Sequence, residues 1–174
     1  MGSRLSSLLV RDGLVNARRM EKAFRRQVVH GGALDTALLE LNVVAEDRLA
    51  QYLALASGLP PASPAETNVF DAEAVKRCPE GVAAKFGVAP LALEGGTLRV
   101  VVHDPVELAP LEQLADTLDL PIQPYVVPEF RWHLVFARAY NAAAPSRCTA
   151  LAKHADLAAP GAPPSDDEPD TEIV

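Results

Sequence analysis

A chain of 174 residues has room for one ordinary domain or two small ones on a shared core. Its apolar fraction of 49% is globular, and with aromatic residues at only 5% the packing falls to Ala, Leu and Val. No run of about 18 apolar residues occurs, so no membrane span is expected, and MGSRLSSLLVRDG reaches Asp12 too soon for a signal peptide. Cys78 and Cys148 lie far apart, which argues against a disulfide framework and for a reducing, cytoplasmic setting. The net charge of -7 is unevenly spread. Residues 1–27 carry seven basic side chains against Asp12 and Glu21, whereas residues from Asn141 on carry six acids against Arg147 and Lys153. A basic end of this kind either is a solvated face or meets an anion or an acidic partner. Few aromatic residues interleave with it, which disfavours nucleic acid.

The front of the chain repeats with an offset of 29 residues. Leu5 aligns with Leu34, Leu9 with Leu38, Leu14 and Val15 with Val43 and Val44, Met20 with Leu49, and Phe24 with Leu53. Each unit reads as a short helix, a turn at Gly13 or Asn42, and a longer helix. Asn16 is the expected N-cap of the second helix. On that helix Met20, Ala23, Phe24, Gln27 and Val28 share one face, with most of the basic side chains elsewhere. Neither hairpin can bury its apolar face alone, so the two are expected to form a four-helix unit over residues 1–59 with approximate internal symmetry.

The motif Arg-Leu-x-x-x-Leu-Val-x-x-Gly-Leu-Val, followed by Met20, Phe24 and Gln27, resembles the tandem motif of MshEN domains. These are N-terminal domains of the GspE/PilB-type ATPases that drive type II secretion and type IV pili. The likeness runs on through Gly58-Leu59-Pro60 to near Tyr140. It implies a regulatory or docking role on secretion or pilus machinery, and cyclic di-GMP as the family's ligand. Carried over by position, the ligand-binding candidates are Arg4, Leu5, Gly13 and Gln27 in the first unit and Leu34 in the second. The sequence departs from the motif with Ser6 for Gly. In the second unit Ala33 stands for Arg, Asp35 and Asn42 for Gly, and Ala56 for Gln. Losing an Arg removes a charge-assisted contact worth about 1.5–3 kcal/mol, and Asp35 repels phosphate. Two such losses weaken binding by roughly a hundredfold. The expectation is a module whose fold persists while dinucleotide binding is weakened or lost.

Residues 60–69 are Pro-rich and read as a linker to a small α/β part over 70–140. Asp71 caps a short helix ending by Pro79, and a second helix runs to Gly87. Strands are expected at 88–93, 97–103 and 122–127, the first two joined by a hairpin turn at Glu94-Gly95-Gly96. Pro90 and Pro124 belong at sheet edges, which makes Leu98–Val102 the central strand. Helices follow at about 108–118 and from Pro128. The fold class is therefore α+β. From Asn141 the chain is rich in Ala, Pro and acid, and 141–174 is expected to be a disordered acidic tail.

No Gly-x-x-x-x-Gly-Lys-Ser/Thr is present, so the nucleotide chemistry of the ATPases is missing from this sequence. His30, His103, His133 and His154 are scattered, and no metal site is indicated. His103-Asp104 alone resembles an acid/base couple and reads better as a turn. The reading is a non-enzymatic docking module for a protein partner, without a cofactor; the alternative is a cyclic di-GMP receptor with a partly degraded motif.

Overall fold

A computed structural model of the protein describes residues 2–104 and 109–157. Helices α1 (Gly2–Arg11), α2 (Ala17–His30), α3 (Leu34–Glu40) and α4 (Glu46–Ser57) follow the repeat. Both turns reverse in the left-handed region, with φ of 71° at Gly13 and 50° at Asn42, where Gly and Asn are tolerated best. Asn16 caps α2 by accepting the Arg19 N–H at 2.9 Å. Helix α1 packs on α4 and α2 on α3. Exchanging the two units turns one of these contacts into the other, so the expected symmetry is present. Aligned partners Leu5 and Leu34, Leu9 and Leu38, Val15 and Val44, and Met20 and Leu49 meet in one buried cluster. The pairing breaks at Phe24, which stays 40% exposed while its partner Leu53 is buried.

The chain continues through α5 (Pro64–Thr67), α6 (Ala72–Arg77), α7 (Glu80–Phe86), β1 (Ala89–Glu94), β2 (Thr97–Val102), α8 (Ala109–Leu118), β3 (Ile122–Val126), α9 (Glu129–Tyr140) and α10 (Ser146–Leu157). Gly95 and Gly96, both at positive φ, form the tight turn that joins β1 and β2 antiparallel. Strand β3 runs parallel to β2 on its other edge, which makes β2 central. Successive residues of β2 point to opposite faces. Leu98, Val100 and Val102 face a cluster with Ala74, Ala83 and Leu114 from α6, α7 and α8, and Val101 faces one with Val135 of α9.

Two boundaries differ from the sequence reading. The stretch 60–69, expected as a linker, lies along the sheet edge: Pro60 O and the Ala62 N–H bond to Val126, and α5 carries a Ser63/Glu66 capping box. The region from Asn141, expected to be disordered, instead forms α10 and buries Cys148 and Leu151 in the core of the N-terminal helices. Arg147, counted there as a tail charge, is what anchors it. The rest of that expected tail, 158–174, lies outside the described residues. Val126 and Phe130 join the same cluster, so residues 1–59 share their core with the rest of the chain.

Polar contacts lock this arrangement. Helices α3 and α9 begin with Ala33 and Pro128 at their N-caps, neither of which supplies a capping side chain. Each helix start takes an acid from the other, and Asp35 also accepts the Thr36 N–H of its own helix at 2.7 Å. Glu129 Oε2 accepts the Ala33 N–H at 2.7 Å and the Thr36 hydroxyl at 2.5 Å, while Asp35 Oδ2 accepts the Glu129 N–H at 2.9 Å. Beside them the Arg131 guanidinium forks onto Glu46 at 2.6 and 2.9 Å. Arg147 forks onto Glu40 at 2.8 and 2.9 Å and donates to the carbonyls of His30 and Gly31. Arg26 reaches the same Glu40 at 2.5 Å.

Leu151→Ala is expected to cost about 2–5 kcal/mol in urea unfolding, the range for a truncated core leucine; an unchanged midpoint would mean that α10 does not contribute to the fold. A second expectation concerns pH. Burial, and then the neighbouring Glu129 charge, push the Asp35 carboxyl up to about 7. Between about pH 4 and 7 the folded protein then holds a proton at Asp35 that the unfolded chain has lost, so this group's contribution to stability falls as pH rises. Burial depresses the His103 imidazole, which gives the opposite slope in part of that window. The readout is therefore the stability of the wild type minus that of Asp35→Asn, which is expected to fall from about pH 5 to about pH 8. A flat difference would contradict it.

Candidate functional site

The repeat makes a slot in each unit, and the protein fills one of them itself. In the second unit Asp35, Thr36 and Glu46 receive the first turn of α9, with Glu129 on the helix start, Phe130 in the buried cluster and Arg131 on Glu46. Gly32 lies against this cover: a Cβ there would sit 3.0 Å from Glu129 Oε2 and 3.2 Å from Arg147 Nη1. The 29-residue offset carries Asp35, Thr36, Leu39, Glu46, Leu49 and Leu53 back to Ser6, Ser7, Val10, Ala17, Met20 and Phe24. With Glu21, those six residues line a groove of about 410 Å³ between α1 and α2. The groove is thus the structural twin of the slot that α9 occupies.

Its surface is apolar with a basic edge. Val10 and Phe24 are each 40% exposed, and Val28, one turn beyond Phe24, is 85% exposed. Arg18, Lys22 and Arg25, at i, i+4 and i+7, run alongside on the exposed flank of α2. Arg25 also pairs with Glu21 at 2.6 Å, a surface contact of small energetic weight. The sequence reading put Phe24 and Val28 on one apolar face with Met20 and Ala23. The face is real, but the core takes only Met20 and Ala23 of these four.

The five candidate residues do not converge on one cavity. Arg4 is exposed on α1. Leu5 and Leu34 come together inside the core, each about as buried as its neighbours. Gly13 sits at its turn with open space around it, and Gln27 donates to the Gly32 carbonyl at 3.0 Å across the spacer between units. The residues that sequence reasoning missed are Glu129, Arg131 and Arg147. One signal was available: Asp35 and Glu46 place acids where the first unit has Ser6 and Ala17, and buried acids need partners.

His103, at the end of β2, is half-buried and meets Trp132 edge-on at 5.2 Å between ring centroids, with His133 at 6.3 Å. Trp132 stacks on Phe136 along α9, 5.0 Å between ring centroids. Burial favours the neutral His103 imidazole, and no group of acids, His and Cys among the described residues is arranged to hold a metal. No described helix is long and apolar enough to cross a membrane.

Known proteins share this architecture. Residues 57–146 match the MshEN domain family. The type IV pilus assembly ATPase PilB of Myxococcus xanthus is 28% identical over 146 residues, 84% of this chain and 26% of that protein. PilB of Thermus thermophilus is 28% identical over 139 residues, 79% of this chain and 16% of that protein. The chain thus spans about a quarter or less of the length of these relatives. Among solved structures, that of MshE with cdg superposes at TM-score 0.56 and 31% identity, covering 79% of this chain and 99% of that one. The N-terminal domain of XpsE superposes at TM-score 0.51 and 18% identity over 78% of this chain and 93% of that one, a likeness of fold. With more than half of its residues in the family match and its fold shared with MshE, this chain belongs to the MshEN domain family.

Proposed function

We propose that the chain is a non-catalytic regulatory and docking module, acting in the cytoplasm on a protein of secretion or pilus machinery through the groove between α1 and α2. The observation that carries this reading is the groove's twin. The same slot one repeat later is filled by an acid followed by a buried aromatic, Glu129-Phe130, so the groove has the shape and chemistry to take a similar segment from elsewhere. Val10, Met20 and Phe24 supply an apolar floor, and covering an aromatic such as Phe24 contributes about 1.5–3 kcal/mol. The basic edge of Arg18, Lys22 and Arg25 favours an acidic approach and speeds encounter. The partner is a segment with an apolar anchor beside carboxylates.

A second reading has its own support. MshE was solved with cdg, and this chain keeps Arg4, Leu5, Gly13 and Gln27 of the first motif, with Leu34 in the second. A cyclic di-GMP receptor would use Arg4 for the ligand's charge or its guanine. Against it stand Ala33 and Asp35 in the second unit, the latter buried and engaged with Glu129, and the Glu129 and Arg147 side chains packed over Gly32.

Calorimetric titration separates the two. Purified protein is expected to give no saturable heat with cyclic di-GMP; saturation that disappears in Arg4→Ala would make the receptor reading correct. In pairwise titrations against individual cytosolic proteins of pilus and type II secretion systems, one partner is expected to bind, and Phe24→Asp to weaken it by about tenfold or more. Binding that is indifferent to Phe24→Asp would place the docking surface elsewhere.

A further inference from the structure

We infer that helix α10 is a releasable strap: it lifts off the domain in one piece while the rest stays folded, and its catch, Arg147, ties that release to the C-terminal end of α2. The inference is independent of what the groove binds.

The argument starts from how little of α10 is buried. The chain leaves α9 at Asn141, in the left-handed region with φ of 51°, and reaches α10 through a connector whose Ala142, Ala143 and Pro145 are exposed. Among the described side chains of α10 only Cys148 and Leu151 are buried, with Ala152 and Ala155 packed partly against the same cluster. A helix of 12 residues is marginal by itself, and few buried apolar contacts mark a segment that opens before its domain does. Among the described residues, the two clusters packed on the sheet contain nothing from α10, so the sheet and its helices keep their cores without it.

The polar contacts let go without stranding a buried charge. Arg147 forks onto Glu40 and donates to the carbonyls of His30 and Gly31. When it leaves, Glu40 keeps Arg26, so the carboxylate is not orphaned. His30 and Gly31 are exposed, so water takes over their carbonyls. At the far end Asp156 reaches Arg131 at 3.9 Å, a weak surface tie, and Arg131 retains its fork on Glu46. The link to α2 follows from where the catch sits. His30 is the last residue of α2 and Gly31 its C-cap, the end at which a helix leaves carbonyls without partners and at which a cation is favourable. A closed strap therefore holds the last turn of α2, one wall of the groove, and an open strap releases it.

The two cysteines supply the test, since Cys148 lies under the strap and Cys78 in a cluster on the sheet, both buried and free of a disulfide. The full native chain is treated with a thiol reagent such as DTNB, and each rate is divided by that of the same thiol in the denatured chain. Cys148 is expected to react about tenfold or more faster than Cys78. Its rate is also expected to depend less steeply on urea, because lifting a strap exposes less surface than unfolding the domain. Arg147→Gln is expected to speed Cys148 by about tenfold or more. Val100→Ala, in the cluster of Cys78, is expected to speed Cys78 and leave Cys148 unchanged. A Cys148 that reacts no faster than Cys78, or whose rate follows Val100→Ala, would overturn the inference. Hydrogen exchange read by mass spectrometry tests the catch. Leu151→Ala, which leaves Arg147 in place, is expected to speed exchange both in 146–157 and in 27–31. Faster exchange in α10 alone would overturn the tie to α2.

Discussion

Two helix starts whose N-cap residues carry no capping side chain govern this structure. A helix leaves its first N–H groups without partners, and Ala33 and Pro128 offer them nothing. Asp35 accepts the Thr36 N–H of its own helix and the Glu129 N–H of α9, while Glu129 reaches back to accept from Ala33 and Thr36. The cost is two acids close together in a buried place, which shows as the raised Asp35 carboxyl. Because the two residues are 94 apart in sequence, the exchange fixes α9 against the N-terminal helices. Glu46 with Arg131 and Glu40 with Arg147 extend the same seam. The sheet, which hangs on α9, takes its position from it.

Much of the architecture could be read before any coordinates. Gly13, Asn42 and Asn16 mark turns and a cap by local backbone chemistry, and the 29-residue offset pairs core residues that meet in space. Pro90 and Pro124, unable to donate within a ladder, correctly made Leu98–Val102 central. The capping seam was not readable, since nothing local to Asp35 points to a partner 94 residues on. Helix α10 was missed because its composition is Ala-rich with mixed charge and only a weak apolar stripe. Its burial comes from Cys148 and Leu151 meeting a core built elsewhere.

On α2 the apolar face was legible and what covers it was not. Periodicity places Met20, Ala23, Phe24 and Val28 together but says nothing of what covers them, and here only half of the face is covered. The family motif marks Leu5 and Leu34, which the fold spends on its own packing. One departure from the motif was the better guide. Asp35 looks like a loss when the second unit is aligned to the motif; in three dimensions it receives α9, together with Glu46.

The long separation of the seam has a consequence for synthesis. The N-terminal hairpins are made well before residues 129–147, and at about 5–20 residues per second the second slot waits on the order of 5–20 s for its cover. During that wait the nascent chain presents two related clefts to a single incoming helix. The two clefts differ at every aligned lining position, and two of those differences, Asp35 and Glu46 in place of Ser6 and Ala17, put acids where the start of α9 lands. In the finished fold these two acids accept the Glu129 N–H and the Arg131 guanidinium, contacts that the second slot lacks until residues 129–131 have been made.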